Sequence, residues 1–309
     1  MNTMVNQFKT AVLLSIMTVF IMMVGRILGG PNGMVIALIF AGGMNFFSYW
    51  FSDKMVLRMY RAEEINPERE PGLYGIVSEL AENAGLPMPK VYIIPQDSPN
   101  AFATGRNPQN AVVAVTQGLL KLMAREEIKG VIAHEMGHIK NRDILISTIA
   151  ATMAGAVMML ASMAKWSALF GGFRSNDDRE GGIITLLVTA FIAPVAAMVI
   201  QMAISRSREY LADATGAEIS RNPEGLASAL EKLGSYSSRI PMQAEPATAH
   251  MFITNPITGR SLMNLFSTHP PIEERVARLR HTQPTSHINS EDTGDTMKRQ
   301  GENFWNSLR

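Results

Sequence analysis

The sequence predicts a mainly α-helical integral membrane protein carrying a small β-hairpin or sheet. Three observations lead there. Four apolar runs, about Ala11 to Leu28, Met34 to Phe51, Ile144 to Ala164 and Ile183 to Ile204, each approach the ~20 residues a helix needs to cross a hydrocarbon core of roughly 30 Å. Only 18% of the 309 residues are charged, 47% are hydrophobic and 22 are methionine, a balance short of charge for a soluble chain. Finally, β-type sequence is confined to one stretch, PKVYIIPQDSPNAFATGRNPQNAVVAVTQGLL, where Val91 to Ile94 and Ala111 to Val115 have strand composition.

In chain order, residues 1–51 form a transmembrane hairpin, two apolar runs joined by the turn sequence GGPNG. A cleaved signal peptide is the alternative for the first run. The second run follows too closely, and no A-x-A-like cleavage site is evident. Residues 52–143 begin a polar domain: Ser52 to Asn66 suits a helix on the membrane surface, and Pro71 to Gly85 has Leu73, Ile76, Val77 and Leu80 at helical spacing before a terminal glycine. Residues 144–204 are expected as a second transmembrane hairpin, or as a pair of buried helices, since Gly155 and Pro194 interrupt the runs. Residues 205–281 complete the polar domain, with Asn222 and Pro223 starting a helix over Glu224 to Ser235 and a short last helix over Pro271 to Arg280. From 282 to 309 the chain is polar with few apolar anchors, the composition of a disordered tail.

Charge sets the expected orientation and excludes some functions. Lys9, Lys54, Arg58, Arg61, Lys140, Arg142, Arg206 and Arg208 flank the runs on one side, which the positive-inside tendency makes cytosolic; Arg26 and the loop with Lys165, Arg174 and Arg179 oppose it with fewer charges. A net charge of +1, from 28 basic and 27 acidic residues, gives no basic footprint for nucleic acid. With no cysteine there can be no disulfide, thiolate metal site or cysteine nucleophile, so any metal is held by His, Asp or Glu.

Two of the six histidines stand in HEMGH, at His134 and His138. Four residues apart on a helix, they face one point, with Glu135 beside it. Two neutral imidazoles and a carboxylate suit a zinc ion, whose open fourth position takes water and lowers its pKa towards ~7. Glu135 is then the general base, passing the proton on to the leaving amine. Gly130 and Gly137 leave the helix surface bare, as a cleft floor would require. Asp143, Glu209, Asp213, His250 and His269 are candidates for the third ligand. Glu209 and Asp213 have the better geometry: again four apart, one binds metal while the other accepts the N–H of a ligating histidine. His138 lies six residues before the third run, about 9 Å along a helix, and Glu209 five after the fourth, about 7.5 Å, so both return to one face of the bilayer.

The motifs NAFATG (Asn100 to Gly105), HEMGHIKNRD (His134 to Asp143), SRSREYLAD (Ser205 to Asp213) and STHPPIEERVARL (Ser267 to Leu279) make the chain, from the first hairpin to about Arg280, resemble the membrane-bound HtpX proteases. These belong to the M48 group of zinc metallopeptidases, with the CAAX prenyl proteases. The resemblance implies a gluzincin-like protease domain on the cytosolic side of a bacterial inner membrane. It implies one Zn2+ per chain on His134, His138 and Glu209, with Glu135 catalytic and Asp213 behind the ligands. It implies that His269 steadies the oxyanion and that Asn100, Ala101 and Phe102 belong to an edge strand that holds substrate backbone. The expected partners are the lipid bilayer and unfolded or membrane protein substrates, cut as quality control under stress; nothing in the sequence sets the oligomeric state. The remaining histidines, His250, His281 and His287, are expected at the surface or in packing. A prenyl-protein endopeptidase is the nearest alternative, although four short spans are too few to enclose a lipidated peptide. A metal-regulated transporter fits less well, because the runs carry no ionisable group near their middles.

Overall fold

The computed structural model describes residues 3–169, 199, 205–237, 247–253 and 270–281. Helix α1 (Thr3–Met59) is two apolar limbs, Val5–Arg26 and Gly29–Met59, each long and apolar enough to cross a membrane. They meet at a kink where Gly30 takes φ 61°, a left-handed conformation that favours glycine, and Pro31 opens the second limb. Below the kink the limbs nearly touch. A Cβ on Gly25 would lie 2.6 Å from the Gly33 carbonyl oxygen, and further along Asn45 donates to Thr18 Oγ1 at 2.9 Å. Ile36, Ile39, Phe40, Phe46 and Phe47 are exposed outward, where lipid would cover them.

The second limb has 31 residues, about 46 Å of helix against a roughly 30 Å hydrocarbon core. Its end therefore carries past the membrane. The surface helix expected over Ser52 to Asn66 is instead this continuation to Met59, after which the chain turns at Tyr60 and enters strand β1 (Glu63–Glu64). Along the third run, α5 (Ile144–Leu169) packs Ile146, Ile149, Met153 and Val157 against Leu13 and Met17 of α1. The fourth run, apart from Val199, and the tail from Thr282 lie outside the described residues.

Between these helices sits a sheet of four strands in the order β1, β2 (Lys90–Ile94), β4 (Ala111–Thr116), β3 (Ala101–Gly105). The two segments legible as strands are β2 and β4, and they run parallel rather than as a hairpin, with Val91 opposite Val113. The connecting segment adds β3 antiparallel to β4, Phe102 opposite Ala114, at the sheet edge. Both faces are covered, so β3 and β4 are buried at every position and show no polar alternation. Ala101, Ala103, Val113 and Val115 face a core with α2 (Pro71–Ala84), Leu119 of α3 (Gln117–Leu122) and α4 (Arg125–Lys140); Phe102, Val112 and Ala114 face Val56, Leu57, Tyr60 and Ala151.

The predicted helices around Leu73 and Val276 are α2 and α8 (Ile272–His281), and Asn222 caps α7 (Pro223–Ser237) by accepting from Gly225 N–H at 3.1 Å. Glu127 fixes α4 at both ends of its reach. One oxygen takes the Ala124 N–H at the helix start and Lys232 Nζ, and the other takes Ser228 Oγ, both side chains on α7 at 2.7 Å.

Candidate metal centre

Helix α6 (Arg206–Ser220) crosses α4 at unusually close range, and glycine permits it. A Cβ on Gly216 would lie 2.8 Å from His134 N, and one on Gly137 would lie 2.8 Å from the Ala212 carbonyl oxygen. Gly130 does the same against α7, 2.4 Å from Leu226 N. Gly130 and Gly137 are therefore helix-packing positions and not the bare cleft floor expected from sequence. The bare surface is spent on backbone-to-backbone approach.

That approach brings the first turn of α6 onto the HEMGH face. His134 Nε2 and His138 Nε2 stand 3.2 Å apart, and Glu209 places Oε2 3.8 Å from the former and Oε1 3.8 Å from the latter. One donor atom from each of the three lies within 4.8 Å of the others, so the group could hold a metal ion. Ligand atoms at about 2.0–2.2 Å from a tetrahedral ion lie about 3.3–3.6 Å from one another, close to these separations.

The surrounding hydrogen bonds orient both rings for the same task. His134 Nδ1 is 2.9 Å from Asp213 Oδ1, and His138 Nδ1 is 3.1 Å from Asp143 Oδ2. Donation of each Nδ1–H to a carboxylate leaves each Nε2 lone pair pointing at the shared centre. Asp213 is itself gripped by Arg275, Nε to Oδ2 at 2.8 Å and Nη2 to Oδ1 at 2.7 Å. Burial opposes the charge on Asp213, yet the Arg275 guanidinium prevails and holds its carboxyl down at about 2. Burial keeps the His134 imidazole below the ordinary histidine range. At His138 burial acts the same way, but Asp143, Glu209 and Glu135 outweigh it and push the ring up to about 10. The cluster thus favours a positive charge at its centre, which a divalent cation supplies in place of a proton.

Glu135 is 1% exposed, and burial, with Glu209 nearby, pushes its carboxyl up to about 7 against the pull of His138. The Ala103 N–H of β3 donates to it. Of the predicted substrate residues, Phe102 stacks edge-on against Phe252 at 5.3 Å, Asn100 accepts the Ala101 N–H on its own side-chain oxygen, and the Ala101 carbonyl accepts the Ile253 N–H at 3.2 Å. His269 lies outside the described residues, as does His287.

Three residues at the site were not given these places from sequence. Asp143, weighed as a metal ligand, instead holds His138. Arg275 is 1% exposed and shares the buried side of α8 with Val276 and Leu279; a basic residue among apolar helix positions is the signal that could have found it. His250, expected at the surface or in packing, is buried, lines the same cavity as His134, His138 and Glu209, and donates from Nε2 to the Ser147 carbonyl at 3.1 Å. Exchanging Asp143 for alanine should weaken metal affinity about 10- to 100-fold, read by chelator competition, because His138 loses the acceptor that fixes its tautomer. Unchanged affinity would show that Asp143 does not orient the ring.

Two histidines and a carboxylate around one point, a buried glutamate beside them and an apolar helical hairpin define a membrane metallopeptidase. A family model described as Peptidase family M48 matches residues 67–283, and the chain belongs to that family. It is 63% identical over 308 residues to a "Protease HtpX homolog" of Desulfatibacillum aliphaticivorans, covering 98% of this chain and 99% of that one. A second from Desulforapulum autotrophicum is 63% identical over 307 residues, with 98% and 99% covered, and one from Thermococcus kodakarensis is 55% identical over 273 residues, with 88% and 94% covered. The fold is similar to the crystal structure of S. mikatae Ste24p, with TM-score 0.50 and 16% identity over 89% of this chain; the chain spans 65% of that one's length.

Proposed function

We propose that this protein is a zinc-dependent endopeptidase that cuts unfolded or damaged membrane proteins at the cytosolic face of a bacterial inner membrane. The observation that carries the reading is the convergence of His134, His138 and Glu209 donor atoms within 4.8 Å, with Glu135 buried beside them. In this reading those three residues hold one Zn2+, which when bound polarises the scissile carbonyl and acidifies water. Glu135 takes the proton from the attacking water and delivers it to the departing amine. Asp213 and Asp143 keep the two rings in the tautomer that offers Nε2, and Arg275 keeps Asp213 ionised. His269 is assigned to the developing oxyanion on motif grounds alone. The cytosolic side is supported by the basic residues Lys54, Arg58, Lys140 and Arg142 near the polar-domain ends of the apolar helices.

Metal analysis of the detergent-solubilised full chain, with cleavage of unfolded casein before and after chelation, tests this. One zinc per chain and activity that is lost with the metal and restored by zinc are expected. Cleavage that persists in the stripped protein would remove the metallopeptidase reading.

A further inference from the structure

The cavity bounded by Glu135, the two histidines and Glu209 has a volume of about 30 Å³, enough for a water or two. Part of the remaining wall is His250 to Ile253, a buried segment on which Phe252 is fully covered, with Ala103 of β3 beside it. This segment lies on the outer edge of β3, the edge away from β4: the Ile253 N–H donates to the Ala101 carbonyl, and Phe252 is extended at φ −82° and ψ 147°. At its end two successive side chains point to opposite faces of the sheet. Ile253 joins the core that holds Ala101 and Ala103, while Phe252 joins Phe102 and Tyr60 on the other face. Phe252 meets both of those rings edge-on with centroids 5.3 Å away. Arg275 Nη1, from the guanidinium that grips Asp213, donates to the Ile253 carbonyl at 3.0 Å.

We propose that Phe252 and Ile253 stand in the place of substrate as an internal competitor, and that the notch between Tyr60 and Phe102 is a subsite for a large apolar, preferably aromatic, side chain of an unfolded polypeptide. The inference rests on the peptidase reading and adds its regulation and substrate class. A polypeptide entering along β3 takes over the Ala101 carbonyl from Ile253 and seats its own side chain where Phe252 sits. Among the described residues, Ile253 meets β3 through this one backbone hydrogen bond, and it is the bond that an entering strand replaces. A folded protein has no free strand bearing an exposed aromatic to exchange, whereas an unfolded one does.

The test uses the metal-loaded full chain in detergent. Ile253→Pro removes the N–H that bonds Ala101. A groove open about one-tenth of the time raises the apparent KM about tenfold, so the variant should lower KM for casein by up to about that factor at unchanged metal content. An unchanged or raised KM in a variant that keeps its metal and melting temperature overturns the proposal. Because a buried-site variant can misfold, a second measurement keeps the segment intact. In Glu135→Gln protein, an unfolded peptide containing phenylalanine should speed amide hydrogen exchange at 250–253 while slowing it along Ala101–Gly105, and the same peptide with alanine for phenylalanine should do so only at higher concentration. Protection of β3 with no change at 250–253, or equal potency of the two peptides, overturns it. Absence of any peptide binding or wild-type cleavage would instead sink the peptidase reading beneath it.

Discussion

Replacing Glu135 with glutamine is expected to lower peptide hydrolysis by about 1,000-fold while leaving the metal bound. The expectation follows from placement. The donor atoms that converge belong to His134, His138 and Glu209, and Glu135 sits beside them on the same helix with the Ala103 N–H fixing its position. Glutamine keeps the shape and accepts the same hydrogen bond, but it cannot take a proton at neutral pH. Burial raises the Glu135 carboxyl to about 7, so in the parent protein the rate should fall as acid protonates the base. A cation at the adjoining ligands pulls that value down, which places the acid limb of the pH profile at or below 7. Metal content by elemental analysis and casein cleavage, measured on one preparation, decide the matter. A glutamine variant that cleaves normally, or that loses its metal, would show that Glu135 has another role.

What could be read from the sequence divides along physical lines. The HEMGH pair was legible because the helical period alone places residues four apart on one face, and the same rule gave Glu209 and Asp213. Helices capped by Pro71, Gly85 and Asn222 were legible for the same local reason. Strand β3 was not legible from propensity, since Ala-Phe-Ala-Thr-Gly is poor strand composition and owes its conformation to pairing with β4 and to burial on both faces. Asp143, Arg275 and His250 act through contacts that depend on tertiary position. His250 reaches a carbonyl 103 residues away in sequence, and Arg275 reaches Asp213 across 62 residues. No periodicity encodes such pairs. The end of the second apolar limb was misjudged because hydropathy falls at Ser52 while the backbone has no reason to leave the helix until Met59.

Gly216→Val should be the most damaging change at a position that touches neither metal nor substrate. A Cβ there meets His134 N at 2.8 Å, His134 Cα at 2.9 Å and the Ala133 carbonyl carbon at 3.0 Å, all main-chain atoms of α4. Main chain cannot rotate aside as a side chain can, so α6 must retreat from α4 as a unit. Glu209 and Asp213 ride on α6, whereas His134 and His138 ride on α4. The carboxylate-to-imidazole separations of 3.8 Å already lie slightly beyond the about 3.6 Å that one tetrahedral ion bridges, and any retreat widens them. Metal affinity should fall about 100-fold or more, the upper range for losing ligand orientation, alongside about 1–3 kcal/mol of overpacking cost. Gly75→Ala is the matched control: on α2 its added Cβ meets nothing within 4 Å, so it should leave metal binding alone and, as an ordinary helix-interior exchange, stabilise by about 0.5–1 kcal/mol. Chelator competition and thermal unfolding on both variants separate the two effects. Should Gly216→Val bind metal as tightly as the parent, the helix spacing set by glycine would not be what holds the carboxylate against the two histidines.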